Sequence, residues 1–539
     1  MTRDSGGAEA GSTGWDGWTT AALAAAAGVG AVAGSYAVAG ASPAFVVAPV
    51  ASLVVATTPD VVVTAAILYL GALGERVAFG VALAVTAGLF AGASDAGRRL
   101  GERVTPASSA AVVAAGALST VLGFALVGDA ASSLAAGAGV GLVRSAATLA
   151  TGERSADEAG RRRLLGSLAS AAGVGVVAYL LGRRRAPDTD RTLDEVTSSA
   201  PSTPTASADA TPTATPADDE ATESAEPTAT PQAPQSSAAR QRLLAEATER
   251  SLDVDGLEPL VSSTFYETDV NNINPQPAAE EWTLTVTGAV DEERTLTYDD
   301  LTAMPAEDRF VTLRCVGDPV DGRQLDNALW TGVPMADLLD AAGAQGEYVM
   351  LRAVDGFYEE MPLAALRPGL LAYGMNDELL PNRHGFPARA LVPGHWGEVN
   401  VKWLTEIEVL DEPAKGYWEK RGWHGTGPVN TVAKLYVVNR SPGEIEVAGH
   451  AYAGTRGVDR VEVSTDGGRS WYRATLSAPL PGDDVWRQWA YRYEPPAGEH
   501  EVVVRAVDGT GAIQPRTRTN AYPSGATGWA SRTVRQRRR

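Results

Sequence analysis

The chain of 539 residues contains a single cysteine, Cys315. No internal disulfide can form, so cysteine usage neither staples the fold nor reports its compartment. Lysine is nearly missing as well. It occurs only at Lys402, Lys415, Lys420 and Lys434, and every other basic residue is arginine. With 65 acidic residues against 45 basic ones, the surface repels phosphate backbones, which argues against a nucleic-acid partner. The same balance suits a high-salt, halophilic setting, where screening removes the self-repulsion of crowded carboxylates. Histidine is confined to His384, His395, His424, His450 and His500. None falls in the apolar first third of the chain, which excludes a bis-histidine haem there.

What is present divides the chain into four parts. Residues 1–185 are Ala, Val, Gly and Leu with sparse charge, and read as a transmembrane anchor of about five α-helices. The spans are 19–39, 77–93, 107–127, 130–149 and 164–181. The run 45–73 is interrupted by Pro49, Pro59 and Asp60 and reads as a broken or re-entrant pair. Arg98, Arg99 and Arg103 lie in one loop, and Arg154, Arg161, Arg162 and Arg163 in another, with two spans between them. Both loops can then face the cytoplasm, which makes the protein multi-pass in the cell membrane and leaves the remainder extracytoplasmic. Arg183, Arg184 and Arg185, after the last span, pull the other way.

Residues 186–239 are Pro, Thr, Ser, Ala and acids with almost no large apolar side chain. Such a stretch cannot offset its ordering entropy and is expected to be a disordered linker. From 240 to 425, a short helix leads into irregularly alternating strands and short helices, an α+β pattern. The run from Trp282 alternates with period two, 298–304 and 334–343 read as helices, and 348–353 and 407–410 as strands. From 426 to 535 the signal is all β: strands punctuated by Gly and Asp turns, as in a small β-sandwich of immunoglobulin type.

Cys315 ends an apolar run, Val311-Thr312-Leu313-Arg314, and is followed at once by Val316-Gly317-Asp318-Pro319. That order places the thiol at the end of a buried strand, where a turn presents it to a cavity. Its uses are inert core filler, nucleophile or ligand to a soft metal. Three other stretches of this part are too polar and specific for scaffold. They are Phe265-Tyr266-Glu267; His384-Gly385-Phe386-Pro387-Ala388-Arg389, running on to Gly394; and Asn400-Val401-Lys402-Trp403-Leu404.

In order and spacing, these stretches resemble the molybdopterin-binding domain of the sulfite oxidase family, followed by that family's dimerisation domain. The resemblance runs from about Phe265 through the late Trp486–Trp489 and Gly525–Trp529 stretches, covering about half the chain. It implies a molybdenum–molybdopterin enzyme with Cys315 as the thiolate ligand and catalytic residue. Arg389 and Lys402 fall on the family's phosphate-binding cations. His384, Asn400 and Val401 fall on its other cofactor contacts, and Tyr266 and Glu267 on the aromatic–acidic pair that related reductases place on the pterin. It also implies oxygen-atom transfer, an external electron carrier in place of a haem domain, and a homodimer.

Two departures bear on the substrate. The stretch after Cys315 carries Asp318 where sulfite oxidases reach an anion-binding arginine, and no arginine occupies 265–269. An acid facing the pocket repels sulfite, so Asp318, with Tyr417 and Trp418 as pocket candidates, leaves a small oxyanion and an S- or N-oxide both open. A non-catalytic surface-binding protein is the remaining alternative.

Overall fold

A computed structural model describes residues 13–70, 72–105, 107–149, 169, 171–173, 175–181, 192–198 and 237–535. The chain forms two compact units. One comprises residues 1–188 with 269–276, and the other 189–268 with 277–539.

The first unit is helical: α1 (Thr13–Ala39), α2 (Ala48–Thr57), α3 (Asp60–Leu70), α4 (Ala72–Val104), α5 (Ser108–Val127) and α6 (Ala130–Leu149). α1 packs on α4 and α6, and α5 packs on α4 and α6. Small residues set those contacts. A Cβ built on Gly28 would lie 2.0 Å from the Ala87 carbonyl oxygen, and one on Gly139 equally close to Gly30. Close backbone approach of this kind is how helices pack where no water drives them together. Among the described residues, three helices are long and apolar enough to cross a membrane: 18–39, 76–104 and 108–127. α2 and the start of α3 form a pair bent by 106°, which raises the number to four if the pair is one span.

Against the expected count of about five, three or four such spans lie among the described residues. α6 forms as a helix of 20 residues, but Ser132, Ser133, several glycines and Arg144 keep it out of the apolar group. The 164–181 span is described only in part, and Arg154, Arg161–Arg163 and Arg183–Arg185 lie outside the described residues.

The second unit opens with α7 (Leu193–Ser198) and α8 (Ser237–Arg250). α7 lies inside the stretch expected to be unstructured. Leu193 and Val196 are buried in the main core, Leu193 against Gly374, where a Cβ would come within 2.9 Å of it. Arg240 of α8, fully buried, bonds Asp194 and Asp377, both at 2.6 Å. Asp377 is held there by a two-residue turn, with Asn376 and Asp377 both at positive φ (55° and 66°), a conformation that short polar side chains tolerate. The rest of the linker, 199–236, lies outside the described residues.

The strands that follow are β1 (Thr283–Gly288), β2 (Arg294–Thr297), β3 (Glu307–Arg314), β4 (Leu325–Pro334), β5 (Tyr348–Ala353), β6 (Tyr358–Pro362), β7 (Leu370–Met375), β8 (Glu378–Leu379), β9 (Arg389–Leu391) and β10 (Leu404–Leu410). They make two sheets, β2-β1-β10-β5-β6 and β3-β4-β7-β8 with β9 paired to β7. The β1–β10 pair is parallel and every other pair in these sheets is antiparallel. Short helices α9 (Tyr298–Ala303) and α10 (Met335–Ala342) join strands. α9 is fixed by a capping box between Thr297 and Asp300, and α10 is closed by Gly343 in the left-handed region.

The remaining strands are β11 (Val432–Ala433), β12 (Val437–Ser441), β13 (Glu444–Tyr452), β14 (Val458–Ser464), β15 (Tyr472–Arg473), β16 (Thr475–Leu476), β17 (Arg487–Tyr493), β18 (Glu499–Asp508) and β19 (Ala530–Arg535). They form two antiparallel sheets, β11-β13-β17-β16 with β12 on β13, and β15-β14-β18-β19. Ile445, Val447, Trp489, Val461, Val463, Val502 and Val504 share one core, so the two sheets close as a sandwich.

Candidate functional site

β3 is buried along its last five residues, Phe310 to Arg314, which is why apolar Phe310, Val311 and Leu313 do not simply alternate with exposed polar residues. At its end the Cys315 N–H donates to the Gln324 carbonyl (3.0 Å), and Asp318 N–H closes a turn onto Cys315 O (3.1 Å). The thiol stands at the first corner of that turn. Burial pushes it up to about 11, the field of Asp318 adds to this, and hydrogen bonds from the Gly317 N–H and the Thr268 hydroxyl partly offset it. Without a metal the sulfur stays protonated at neutral pH, so binding a soft cation must release a proton.

Asp318 does not face the pocket. Its carboxylate is fully buried, pairs with Arg314 Nε (3.2 Å) and Lys434 Nζ, and accepts from the Gln324 N–H (3.1 Å). Arg314 itself donates to the carbonyls of Asn430 (3.0 Å) and Ala526 (3.3 Å) and lies over the Trp396 ring. The acid read as a repellent for sulfite is a neutralised strut between the α+β part and the sandwich.

The second half of the site meets at Gly385. The turn Asn382–His384 ends there at φ 113°, and a Cβ would lie 3.0 Å from Lys402 Cβ and 3.1 Å from Arg389 Cβ. Only glycine lets the three segments converge. Arg389, buried on β9, donates to His384 O (3.1 Å) and Asn400 O (2.8 Å), tying the turn to the following loop. The Asn400 side chain braces that loop, accepting from Val392 N–H (2.7 Å) and donating to Trp396 O (2.9 Å). Val401 is buried and its carbonyl accepts from Ala390 N–H (2.9 Å). Lys402 Nζ reaches Arg383 O (3.0 Å) and lies 4.7 Å from the Trp403 ring centre. His384 is buried and pushed down to about 3, first by desolvation and then by Arg389, Lys402 and Arg383. It therefore stays neutral in the physiological range.

Phe265 and Tyr266 join the halves. The Phe265 ring stacks on Tyr266 (5.5 Å) and meets His384 edge-on at the same distance. The Tyr266 N–H is held by Asp326 (2.9 Å), and its hydroxyl lies 2.6 Å from where a Gly397 Cβ would be. Gly397 in turn abuts Cys315, where the same Cβ would come within 3.5 Å of Cα. Burial holds the Tyr266 hydroxyl well above its ordinary range, so it remains a donor. Glu267 is exposed and pairs with Arg383 (3.1 Å).

Four features escaped the sequence reading: Asp326, the Arg314–Asp318–Lys434 strut, the close approach of Gly397 to Cys315, and the acids Glu359 and Glu398, whose carboxyl groups lie out of solvent. Gly397 alone carried a usable signal, as the small residue of the His395-Trp396-Gly397 turn. Among the described residues, no group of three or more His, Cys, Asp or Glu side chains could hold a metal. A metal at Cys315 must therefore draw most of its ligands from a non-protein donor. That is the donor set a pterin dithiolene supplies, so the residues present fit the group.

Comparison with known proteins bears on the family. An oxidoreductase molybdopterin binding domain matches residues 271–418, and a Mo-co oxidoreductase dimerisation domain matches 429–524. Mitochondrial sulfite oxidase of Drosophila melanogaster is 30% identical over 51% of this chain and 60% of its own length. The human mitochondrial enzyme is 31% identical over 46% and 55%. The chain thus spans little more than half the length of these relatives. The uncharacterized oxidoreductase YuiH of Bacillus subtilis is 35% identical over 27% of this chain and 74% of its own. With matching domains in the matching order around Cys315, the chain belongs to the sulfite oxidase family of molybdopterin-dependent oxidoreductases.

Proposed function

We propose that the protein is a membrane-anchored molybdenum oxidoreductase that moves an oxygen atom between water and a small oxyanion of the sulfite type, with electrons passed to an external carrier. The observation that carries this reading is the convergence of Cys315, Tyr266, His384, Arg389 and Lys402 around two glycines that leave no room for a side chain. When bound, the cofactor supplies the two-electron oxygen-transfer chemistry. The chain's share is placement and electrostatics. Cys315 would hold the metal, Arg389 and Lys402 the phosphate end of the pterin, and neutral His384 and the Tyr266 hydroxyl its polar edge. Pairing with Arg314 and Lys434 offsets the charge of Asp318, which weakens its opposition to an anionic substrate.

Reduction of S- or N-oxides is a second reading. It is favoured by the loop 315–319, which presents no cation to the pocket. The apolar helices α1, α4 and α5 support anchoring, with the catalytic part outside the cell. The sandwich, read as an immunoglobulin-type module, is the expected dimer contact.

The test is elemental analysis of the full chain in detergent beside a substrate panel with artificial donors and acceptors. About one molybdenum per chain, lost in Cys315→Ser, with sulfite oxidised faster than any S-oxide is reduced, is the expected result. Metal-free wild-type protein would leave only a surface-binding role. Protease accessibility in intact cells tests the orientation, and sedimentation tests the dimer.

A further inference from the structure

Arg383 is a cation of the second half of the site that the cofactor assignment leaves without a task. It belongs to the Asn382–His384 turn, next to His384 and two residues before the Gly385 crossing. Its backbone is built into the cation group. The Arg383 carbonyl accepts from Lys402 Nζ (3.0 Å), and the next carbonyl, that of His384, accepts from Arg389 Nη1 (3.1 Å). A Cβ at Gly385 would stand 3.0 Å from the Lys402 Cβ and 3.1 Å from the Arg389 Cβ. Three positive side chains therefore spring from one crossing. His384 lies in the field of all three: after desolvation, Arg389, Lys402 and Arg383 push it down.

The Arg383 side chain is 64% exposed, and its Nη1 pairs at 3.1 Å with Oε1 of Glu267, itself 39% exposed. Glu267 reaches it from the segment whose Phe265 ring meets His384 edge-on. An ion pair so open to water adds little to stability, because both partners are well hydrated and screened when apart. Holding the fold together is thus a poor account of Arg383. Gathering like charges at one turn is unfavourable until an anion joins them. Glu267 brings one negative charge. A phosphate ester brings close to two, with three strong acceptor oxygens, and so competes well against a carboxylate for a guanidinium fork.

We propose that Arg383 is a third phosphate-binding residue for the pterin, and that Glu267 is the partner it gives up when the phosphate binds. The inference rests on the molybdopterin reading of the site and deepens the assignment of Arg389 and Lys402. Those two are cations tied down by backbone carbonyls. Arg383 is the one held only by an exposed ion pair, which makes it the cation that can change partners. Glu267 then competes with the pterin phosphate instead of touching the pterin.

The experiment uses the full chain, purified in detergent with its own cofactor and washed at rising salt. Pterin per chain is read by fluorescence of the oxidised pterin, and molybdenum by elemental analysis. Arg383→Gln is expected to lose pterin about 10-fold faster than wild type, as for one charged hydrogen bond removed, with an unchanged circular dichroism spectrum. Arg383→Lys keeps the charge and should restore most of the retention. Glu267→Gln breaks the same ion pair, yet it should hold pterin at least as long as wild type. A purely structural pair gives the opposite: both glutamine variants would lose pterin alike, and that result overturns the proposal. Wild-type retention in Arg383→Gln at every salt concentration overturns it as well, while leaving the cofactor reading intact. Wild-type protein with neither pterin nor molybdenum would overturn that reading and the inference with it.

Discussion

Asp318 and Lys434 form an ion pair in which neither side chain is exposed to solvent. Arg314 completes it from the other side, so one carboxylate sits between two buried cations. Removing the carboxylate strands both. Asp318→Asn is expected to lower unfolding stability by about 3–5 kcal/mol, the usual penalty for breaking a buried pair. Denaturant titration followed by tryptophan fluorescence measures it. A change under about 1 kcal/mol would mean that the carbonyls of Asn430, Ala526, Pro319 and Gly322 satisfy the two cations by themselves.

The buried acid on β6 makes stability depend on pH in a direction that can be worked out. Glu359 keeps its proton in the fold up to about 9, against an ordinary value of 4.5. Between those values unfolding releases a proton. Its contribution is complete below the ordinary value and is lost as pH rises through about 9. Wild-type protein should therefore lose stability from pH 5 to pH 9 relative to Glu359→Gln, on the order of a few kcal/mol. Parallel melting curves of the two proteins across that window decide the matter; parallel pH slopes would refute it.

Arg389 works through a planar fork, with one arm on His384 O and the other on Asn400 O. A lysine ammonium cannot span both. Arg389→Lys is expected to cost about 1.5–3 kcal/mol of stability, the worth of a charged hydrogen bond. It should also release pterin during purification, read by fluorescence of the oxidised pterin and by metal content.

Gly525 lies in the left-handed region (φ 84°), and a Cβ there would sit 2.1 Å from Cζ2 of Trp396. Gly525→Ala must move the tryptophan next to Gly397, the residue packed against Cys315. A loss of about 1–3 kcal/mol is expected for the overpacking, with a drop in molybdenum occupancy. Full occupancy in this variant would show that Trp396 does not set the thiol position.

The strand 348–353, the helices near 298 and 335, and the all-β finish were legible because each rests on local period and local turn chemistry. The order of Cys315, His384, Arg389 and Lys402 along the chain can be read in one dimension, and the fold brings His384, Arg389 and Lys402 together at Gly385. What stayed hidden depends on partners far along the chain. Asp318 looked like an acid in a pocket because its partner Lys434 lies 116 positions away. Glu359 and Glu398 sit among polar neighbours in sequence, and only the packing of Gly416 and Gly425 shows that their carboxyl groups are shielded from water. α7 was lost in a Thr-, Ser- and acid-rich background, since six residues are too few to establish a helical period.

That short helix has a consequence for how the protein can be taken apart. Leu193 and Val196 each contribute roughly 1.5–3 kcal/mol by leaving water, and the exposed Asp194 adds little to the buried Arg240. Binding a separate peptide costs about 4–15 kcal/mol in lost freedom, so these contacts suffice only while the chain supplies the effective concentration. One proteolytic cut between Ser198 and Ser237 converts a core element into a dissociable peptide. A single nick there thus leaves α7 held by its own few contacts, which are too weak to keep a separate peptide in the core.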